Sequence, residues 1–231
     1  MSKMSSEALL KQSEHLQALY GQGSETVRNA TSRIGAFSEG LRELENLEKN
    51  PSPYDSEASR IRQRHQRAVT LQKKCTQLEN GTYDALSKRR QSLEQTINQR
   101  ADLSPKGTDS EIRQVIREAK PKDRLAMITE AIKTGDTVTL SAIANGNKVL
   151  TGLDDDTRKN LLDSYKRRVA PDEFSEQQAV DNFLTEATGV FQTAHEAVKS
   201  YQDAEAVDAA DRQAQKADEV VGKVNQLFEE V

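Results

Sequence analysis

The amino-acid sequence predicts an all-α protein made of a long antiparallel helical hairpin of coiled-coil type, a small helical domain and a long C-terminal helix. Residues that favour helices are abundant, and only five prolines and eleven glycines interrupt the 231 residues. Apolar residues recur three and four positions apart over long stretches, as they do on one face of a helix. Aromatic residues make up 4% and charged residues 30% of the chain, which favours helices packed through narrow stripes over one large core.

The first arm of the hairpin is predicted from an apolar repeat of seven residues. The repeat has two columns, which are Leu9, Leu16, Gly23, Ala30, Phe37 and Leu44, and Ser13, Tyr20, Val27, Ile34, Leu41 and Glu48. Because the repeat keeps its phase through Gly21 and Gly23, it favours one uninterrupted helix from about Ser5 to Lys49. Glycines inside a helix cost about 1 kcal/mol each relative to alanine, so this helix is expected to be locally weak.

The second arm begins after Asn50-Pro51-Ser52-Pro53, because a proline disfavours helical geometry in the residue before it. A looser apolar stripe then runs from Tyr54 to Ile97. Its phase shifts beside Asn80-Gly81, which indicates a stutter or kink. The segment ends at Leu103-Ser104-Pro105, and residues 1–104 are therefore assigned to the hairpin.

The hairpin and the C-terminal helix are predicted to bind a second copy of the chain or a partner protein. Two helices alone leave apolar area uncovered, and the burial of this area drives association. The predicted contact residues are Leu16, Tyr20, Val27, Ile34, Phe37 and Leu41 in the hairpin, and Val220, Val224 and Leu227 near the C-terminus. A homo-oligomer, a complex with other structural proteins, or both are expected.

Residues 105–171 contain short apolar segments separated by helix-boundary residues, which predicts a small compact helical domain. Thr108 and Glu111 have the spacing of a capping box, Gly135 the position of a left-handed C-cap and Asp136 that of an N-cap. Asp154 to Asp156 are interpreted as acidic residues at a helix start, because the spacing of a calcium loop is missing. Residues 172–231 predict one long acidic helix whose apolar stripe fades over residues 202–219.

Charge is distributed unevenly along the chain, although the net charge is only −4. Residues 51–100 sum to +5 and residues 172–231 to −10. The second helix carries a basic run suited to nucleic-acid phosphates, made of Arg60, Arg62, Arg64, Arg67, Lys73 and Lys74. The alternative is a solvated face, or a face that meets the acidic C-terminal helix within the chain or between subunits.

The sequence predicts no enzyme, no cofactor, no metal site and no catalytic residue. His15, His65 and His195 lie far apart and lack the spacing of metal ligands or of a catalytic triad. The single Cys75 excludes an intrachain disulfide, and its helical context favours a small buried residue. No apolar run approaches the roughly 20 residues that span a bilayer, and residues 1–15 lack the apolar core that is typical of a secretory signal.

Residues 111–171 resemble a pattern found in uncharacterised helical proteins encoded in bacteriophage and prophage genomes. The segments E-I-R, P-K-D-R-L, G-D, A-I-A-N and L-T-G-L follow one another in this order. The resemblance implies a phage origin and a role in the particle or its assembly, and it carries no catalytic residue over to this chain. The lack of an apolar span and of the apolar core of a secretory signal predicts the host cytoplasm as the location, and a role in the particle adds the virion.

Together these patterns favour a non-enzymatic coiled-coil structural or assembly protein of phage origin, either a virion component or a morphogenesis factor. The alternative is a nucleic-acid-binding protein that uses the basic second helix, about residues 60–90. The patterns do not distinguish a scaffold from a virion component or a host-directed factor.

Overall fold

The computed structural model describes the backbone of residues 5–229 and the side chains of residues 5–223. It confirms the all-α fold, and the described backbone contains no strand. The helices are α1 (Ser6–Tyr20), α2 (Glu25–Lys49), α3 (Glu57–Ala101), α4 (Asp109–Glu118), α5 (Pro121–Thr134), α6 (Thr137–Ala144), α7 (Lys148–Thr151), α8 (Asp155–Val169), α9 (Pro171–Lys199) and α10 (Ala204–Glu229).

Contacts group the chain into two compact units. Unit 1 takes in Met1–Ala85 and Asn182–Val231, and unit 2 takes in Leu86–Asp181. This grouping differs from the predicted segments 1–104, 105–171 and 172–231, because α3 and α9 each contribute residues to both units.

In unit 1, α2 and α3 form an antiparallel pair. Glu48 near the end of α2 lies 3.8 Å from Arg64 near the start of α3, and Arg33 on α2 lies beside Gly81 on α3. Between these two points, a Cβ added to Gly40 would lie 2.6 Å from Leu71 Cδ1. A larger residue at position 40 would therefore require the Leu71 side chain to move.

The last part of α9 and the whole of α1 complete an antiparallel four-helix bundle. The Tyr83 hydroxyl on α3 lies 2.9 Å from Thr188 Oγ1 on α9, and Tyr20 at the end of α1 donates to Glu186 at 2.5 Å. The apolar residues buried in this bundle include Leu9, Leu16, Val27, Ile34, Phe37, Leu41, Leu44, Phe183, Val190 and Val198.

The predicted single helix from Ser5 to Lys49 is wrong, because the chain turns between α1 and α2. The Gly21 N–H donates to Gln17 O at 2.8 Å and closes α1, and the Ser24 hydroxyl accepts from Val27 N–H at 3.4 Å and caps α2. The turn folds α1 back onto α2, and this buries Leu9. The apolar side of α1 therefore gains more from packing on α2 than the chain loses by interrupting the helix at residues 21–24.

Unit 2 is the small helical domain, built by α4 to α8 with the adjoining parts of α3 and α9. Its main core consists of Ala101, Ile116, Ile128, Ala131, Leu140, Ile143, Leu153 and Tyr165. Gly135 has a φ of +74° and caps α5, and Asp136 caps α6 by accepting from Val138 and Thr139, as predicted. The predicted capping box at Thr108 is wrong, since Thr108 makes no side-chain cap bond.

The predicted helix over residues 172–231 is divided into α9 and α10. The break covers residues 200–203, where Tyr201 is buried and the Asp203 carboxylate accepts from Ala206 N–H at 2.8 Å. An apolar side chain turned inward and an aspartate N-cap thus separate the two helices.

Candidate interaction surfaces

The hairpin residues predicted to contact a partner are largely buried within the chain. Leu16, Val27, Ile34, Phe37 and Leu41 are 0–3% exposed. Tyr20 is half-buried, and its hydrogen bond to Glu186 raises the pKa of the Tyr20 hydroxyl. The prediction assumed an apolar stripe that two helices leave uncovered, whereas the other helices of the bundle cover it.

The C-terminal contact residues lie on a part of α10 that extends beyond the bundle. Asp211 on α10 pairs with Arg62 on α3 at 2.5 Å, and Gln202 contacts Ala68 O, so α10 runs antiparallel to α3. Because Arg62 lies only one and a half turns after the start of α3, α10 soon passes that start. Every residue from 215 to 223 is exposed.

Two valines stand out on this extending part of α10. Val220 is 60% exposed and Val221 is 57% exposed. Of these two valines only Val220 is a predicted contact residue, and the side chains of the other predicted residues, Val224 and Leu227, lie outside the described part of the structure. The described part of the surface is therefore a helical face with adjacent valines, without cover from the rest of unit 1.

The predicted phosphate-binding run on α3 is divided by the structure into two groups. Arg60, Arg62 and Arg64 are engaged within the chain. Their partners are the carbonyl oxygen of Asp55, the carboxylate of Asp211 and the carboxylate of Glu48, respectively. Arg67, Lys73 and Lys74 are exposed and form no ion pair with any residue in the described range.

In unit 2, the basic residues of α3 meet acidic residues of α9. The pairs are Arg89 with Glu176 at 2.5 Å, Arg90 with Asp181 at 2.7 Å and Arg100 with Glu173 at 2.8 Å. The hydrogen bonds that Arg89 donates to Glu176 raise the pKa of Arg89 above its ordinary value. These pairs correspond to the alternative in which the basic helix meets the acidic C-terminal region within the chain.

Arg67 and Lys74 also border an open groove between α2 and α3. The groove has a volume of about 530 Å³ and is lined by Gly40, Glu43, Leu44, Gln63, Gln66, Arg67, Thr70, Leu71 and Lys74. Glu43 faces the same space as the two basic residues, so the groove is of mixed charge and not a uniform phosphate-binding surface.

A polar cluster that sequence spacing did not reveal lies inside unit 1. His195 Nε2 lies 2.7 Å from Glu79 Oε2 and 3.8 Å from Cys75 Sγ, and His195 Nδ1 contacts the Gln72 amide. Burial raises the pKa of the Cys75 thiol to about 12, so the thiol is protonated at neutral pH and is a poor nucleophile. The cluster therefore links side chains of α3 to His195 of α9.

The described side chains contain no group of three or more His, Cys, Asp or Glu residues arranged to hold a metal ion. Within residues 5–229, no helix is both long and apolar enough to cross a membrane. Comparison of the chain with known protein families, with curated proteins and with solved structures gave no match. The function is therefore argued from the surfaces of the molecule.

Proposed function

We propose that the protein is a non-enzymatic structural or assembly protein that acts through helix–helix interactions, with the second half of α10 as its contact element. The observation that carries this proposal is the exposure of every residue from 215 to 223 on a helix that continues to Glu229. A partner helix or groove that covers Val220 and Val221 would bury apolar area that the chain itself leaves in water.

The energetics of short helices support a partner for this segment. An isolated helix shorter than about 12–15 residues is only marginally stable in water, and most helices in proteins are stabilised by packing of an apolar face. In α10, none of residues 215–223 has a buried or half-buried side chain that would supply such packing within the described chain. A partner would supply it.

The phage origin rests on the resemblance of residues 111–171 to phage and prophage proteins. On this basis the proposed class is a virion component or morphogenesis factor, working in the host cytoplasm or the particle. The proposed partners are a second copy of the chain, other phage structural proteins, or both. Mass spectrometry of purified particles of the phage that encodes the chain tests whether the protein is a virion component, since such a component is present in the particles in stoichiometric amounts.

Light scattering tests the contact element. The wild-type chain should have a mass above the 25.7 kDa of one copy at micromolar concentration. Val221→Asp should return the mass to that of one copy, because a buried charge opposes the contact. The matched control is Gln215→Asp, on the opposite side of the same helix, and it should leave the mass unchanged. A wild-type monomer would exclude self-association through α10 and leave a different protein as the partner.

The nucleic-acid alternative retains one supporting observation, which is the exposure of Arg67, Lys73 and Lys74 on α3. It is the weaker proposal, because Arg62 and Arg64 are held in ion pairs within the chain. Binding through the three exposed residues should weaken steeply between about 50 and 200 mM salt and be abolished when all three are replaced by Glu. Absence of binding to DNA and RNA at low salt would exclude this function.

A further inference from the structure

We propose that the turn of residues 21–24 is a hinge that the wild-type chain holds closed at micromolar concentration, and that an open hinge lets α1 exchange with α1 of a second copy of the chain to form a domain-swapped dimer. The inference rests on the proposed function, because it names a second copy as the partner and identifies a contact separate from α10. In the structure the hinge is closed, and α1 packs on α2 of its own chain.

The first observation is that the apolar repeat keeps its phase across the hinge. One column of the repeat runs from Leu16 through Gly23 to Ala30, and the other from Tyr20 to Val27. A closed hairpin of two separate helices does not require this continuity. A continuous helix does require it, because only an unbroken phase keeps the apolar residues of α1 and α2 on one side. The sequence is therefore compatible with an open form as well as the closed one.

The second observation is that a second copy could make every α1 contact seen in the structure. Ser6 N–H and Oγ donate to the Glu45 carboxylate at 2.6 and 2.8 Å, and Ser13 Oγ donates to Thr31 O at 2.8 Å. Leu9 is fully buried in the same bundle. An exchanged α1 would repeat these contacts between chains, so monomer and dimer differ chiefly in the hinge. This is why exchange of an identical element is a low-cost route to a dimer.

The third observation concerns the two glycines of the hinge. A Cβ added to Gly21 would lie 2.6 Å from Gln17 O, whereas a Cβ added to Gly23 would meet nothing within 4 Å. Alanine at position 21 therefore opposes the closed turn, and alanine at either position favours a continuous helix. The two substitutions together should shift the balance towards the open form by a factor of about 30.

The experiment compares Gly21→Ala/Gly23→Ala with Glu25→Pro. Glu25 is the first residue of α2, where proline is well tolerated, and Ser24 before it is extended with φ −143° and ψ 118°, as a residue preceding proline prefers. Proline at this position fits the closed turn and prevents a continuous helix. Both variants also carry Val221→Asp, so that association through α10 does not contribute. We expect about twice 25.7 kDa for the alanine variant and one copy for the proline variant.

Disulfide cross-linking distinguishes exchange from any other dimer. A Cβ added to Gly35 would lie 3.7 Å from Ser13 Oγ, so Ser13→Cys/Gly35→Cys in a Cys75→Ala background should form a disulfide between α1 and α2. On a denaturing gel, the link should lie within one chain when the native hinge sequence is present. It should join two chains in the dimer of the alanine variant.

Two results would overturn the inference. One is a dimer of the alanine variant that contains only links within single chains, because its contact would then lie elsewhere. The other is a folded alanine variant that stays at 25.7 kDa over the whole concentration range. If the double variant does not fold, Gly23→Ala alone decides, since its added Cβ meets nothing within 4 Å. It should raise the dimer association constant about thirtyfold, because each of the two chains gains about 1 kcal/mol, and no change would exclude the hinge.

Discussion

The two units of the molecule use the same helix, α3, in opposite ways. In unit 1, the side of α3 that faces the bundle carries small or polar residues, which are Ala68, Gln72, Cys75, Glu79 and Thr82. In unit 2, the corresponding side carries Leu86, Leu93 and Ile97, all at most 2% exposed. Among the described residues, α3 thus supplies large buried apolar side chains to the core of unit 2, whereas the large fully buried side chains of unit 1 come from α1, α2 and α9.

This difference shows how stability and alignment can be divided within one chain. Apolar side chains stabilise a core whichever apolar side chains they contact. A buried polar group, in contrast, destabilises the fold unless a particular neighbour forms a hydrogen bond with it. Gln72 Oε1, Thr82 Oγ1 and His65 Nδ1 are buried without a hydrogen-bond partner among the described residues. The polar side of α3 therefore reduces the stability of unit 1, while its His195 contacts fix the alignment of α3 and α9.

The largest effect is expected from the apolar core of unit 2. Ile128 is fully buried there, and Ile128→Ala should lower the free energy of unfolding by about 3 kcal/mol, because it removes buried methyl groups and leaves a cavity. The control is Met127→Ala on the exposed side of the same helix, which should cost less than about 1 kcal/mol. Urea unfolding followed by circular dichroism measures both. Equal losses would contradict the assignment of the core.

The next effect tests an arginine that holds unit 2 together through backbone carbonyls. The Arg124 guanidinium donates to Ile116 O at 2.9 Å, Arg117 O at 2.9 Å, Ala119 O at 3.1 Å and Gly152 O at 2.6 Å. Arg124→Ala should lower the free energy of unfolding by about 2 kcal/mol, because it leaves carbonyls at the end of α4 without these donors.

Arg124→Lys should recover less than half of this loss, since one ammonium group cannot donate to four carbonyls in the geometry of a guanidinium. Arg117→Ala is the matched control on the exposed face of α4 and should change stability by less than about 0.5 kcal/mol. A lysine variant as stable as the wild type would show that charge alone matters at this position.

A third prediction concerns alkaline pH and unit 1. Burial raises the pKa of Cys75 from its ordinary value of 9.0 to about 12, so above pH 9 the unfolded chain loses a proton that the folded chain retains. The contribution of the protonated thiol to the free energy of unfolding is therefore fully present below about pH 9. Above pH 9 the free energy of unfolding falls by up to about 1.4 kcal/mol per pH unit. Urea unfolding of Cys75→Ala should lack this component, and parallel curves for both proteins would contradict the burial of the thiol.

The smallest effect tests the polar side of α3 directly. Thr82→Val should raise the free energy of unfolding by about 1 kcal/mol, because it keeps the side-chain shape and removes a buried hydroxyl that has no hydrogen-bond partner within the described part of the chain. The control is Thr31→Val, where the hydroxyl donates to Arg28 O at 2.8 Å and is satisfied. The control should show no gain. A loss at Thr82 would indicate that its hydroxyl is hydrogen-bonded in solution.

Local patterns predicted the all-α fold and several helix ends, because caps and breakers act over a few residues. Gly135 and Asp136 are examples. The apolar repeat does not indicate the turn at Gly21, because it continues through the turn in phase and so predicts one helix. The polar cluster was missed for a different reason. His195 and Cys75 are 120 residues apart, and no spacing along the chain indicates which helices meet.

The sequence separation of the contacts has a consequence for synthesis of the chain. Tyr20 and Glu186, which meet in unit 1, are 166 residues apart, whereas Arg124 and Gly152 in unit 2 are separated by 28. The N-terminus of a chain leaves the ribosome first, so α1 and α2 emerge long before α9 can cover them. Neighbouring ribosomes on one messenger hold other copies of α1 and α2 at high local concentration during this interval. The period of translation is therefore when α1 is most available to another nascent chain.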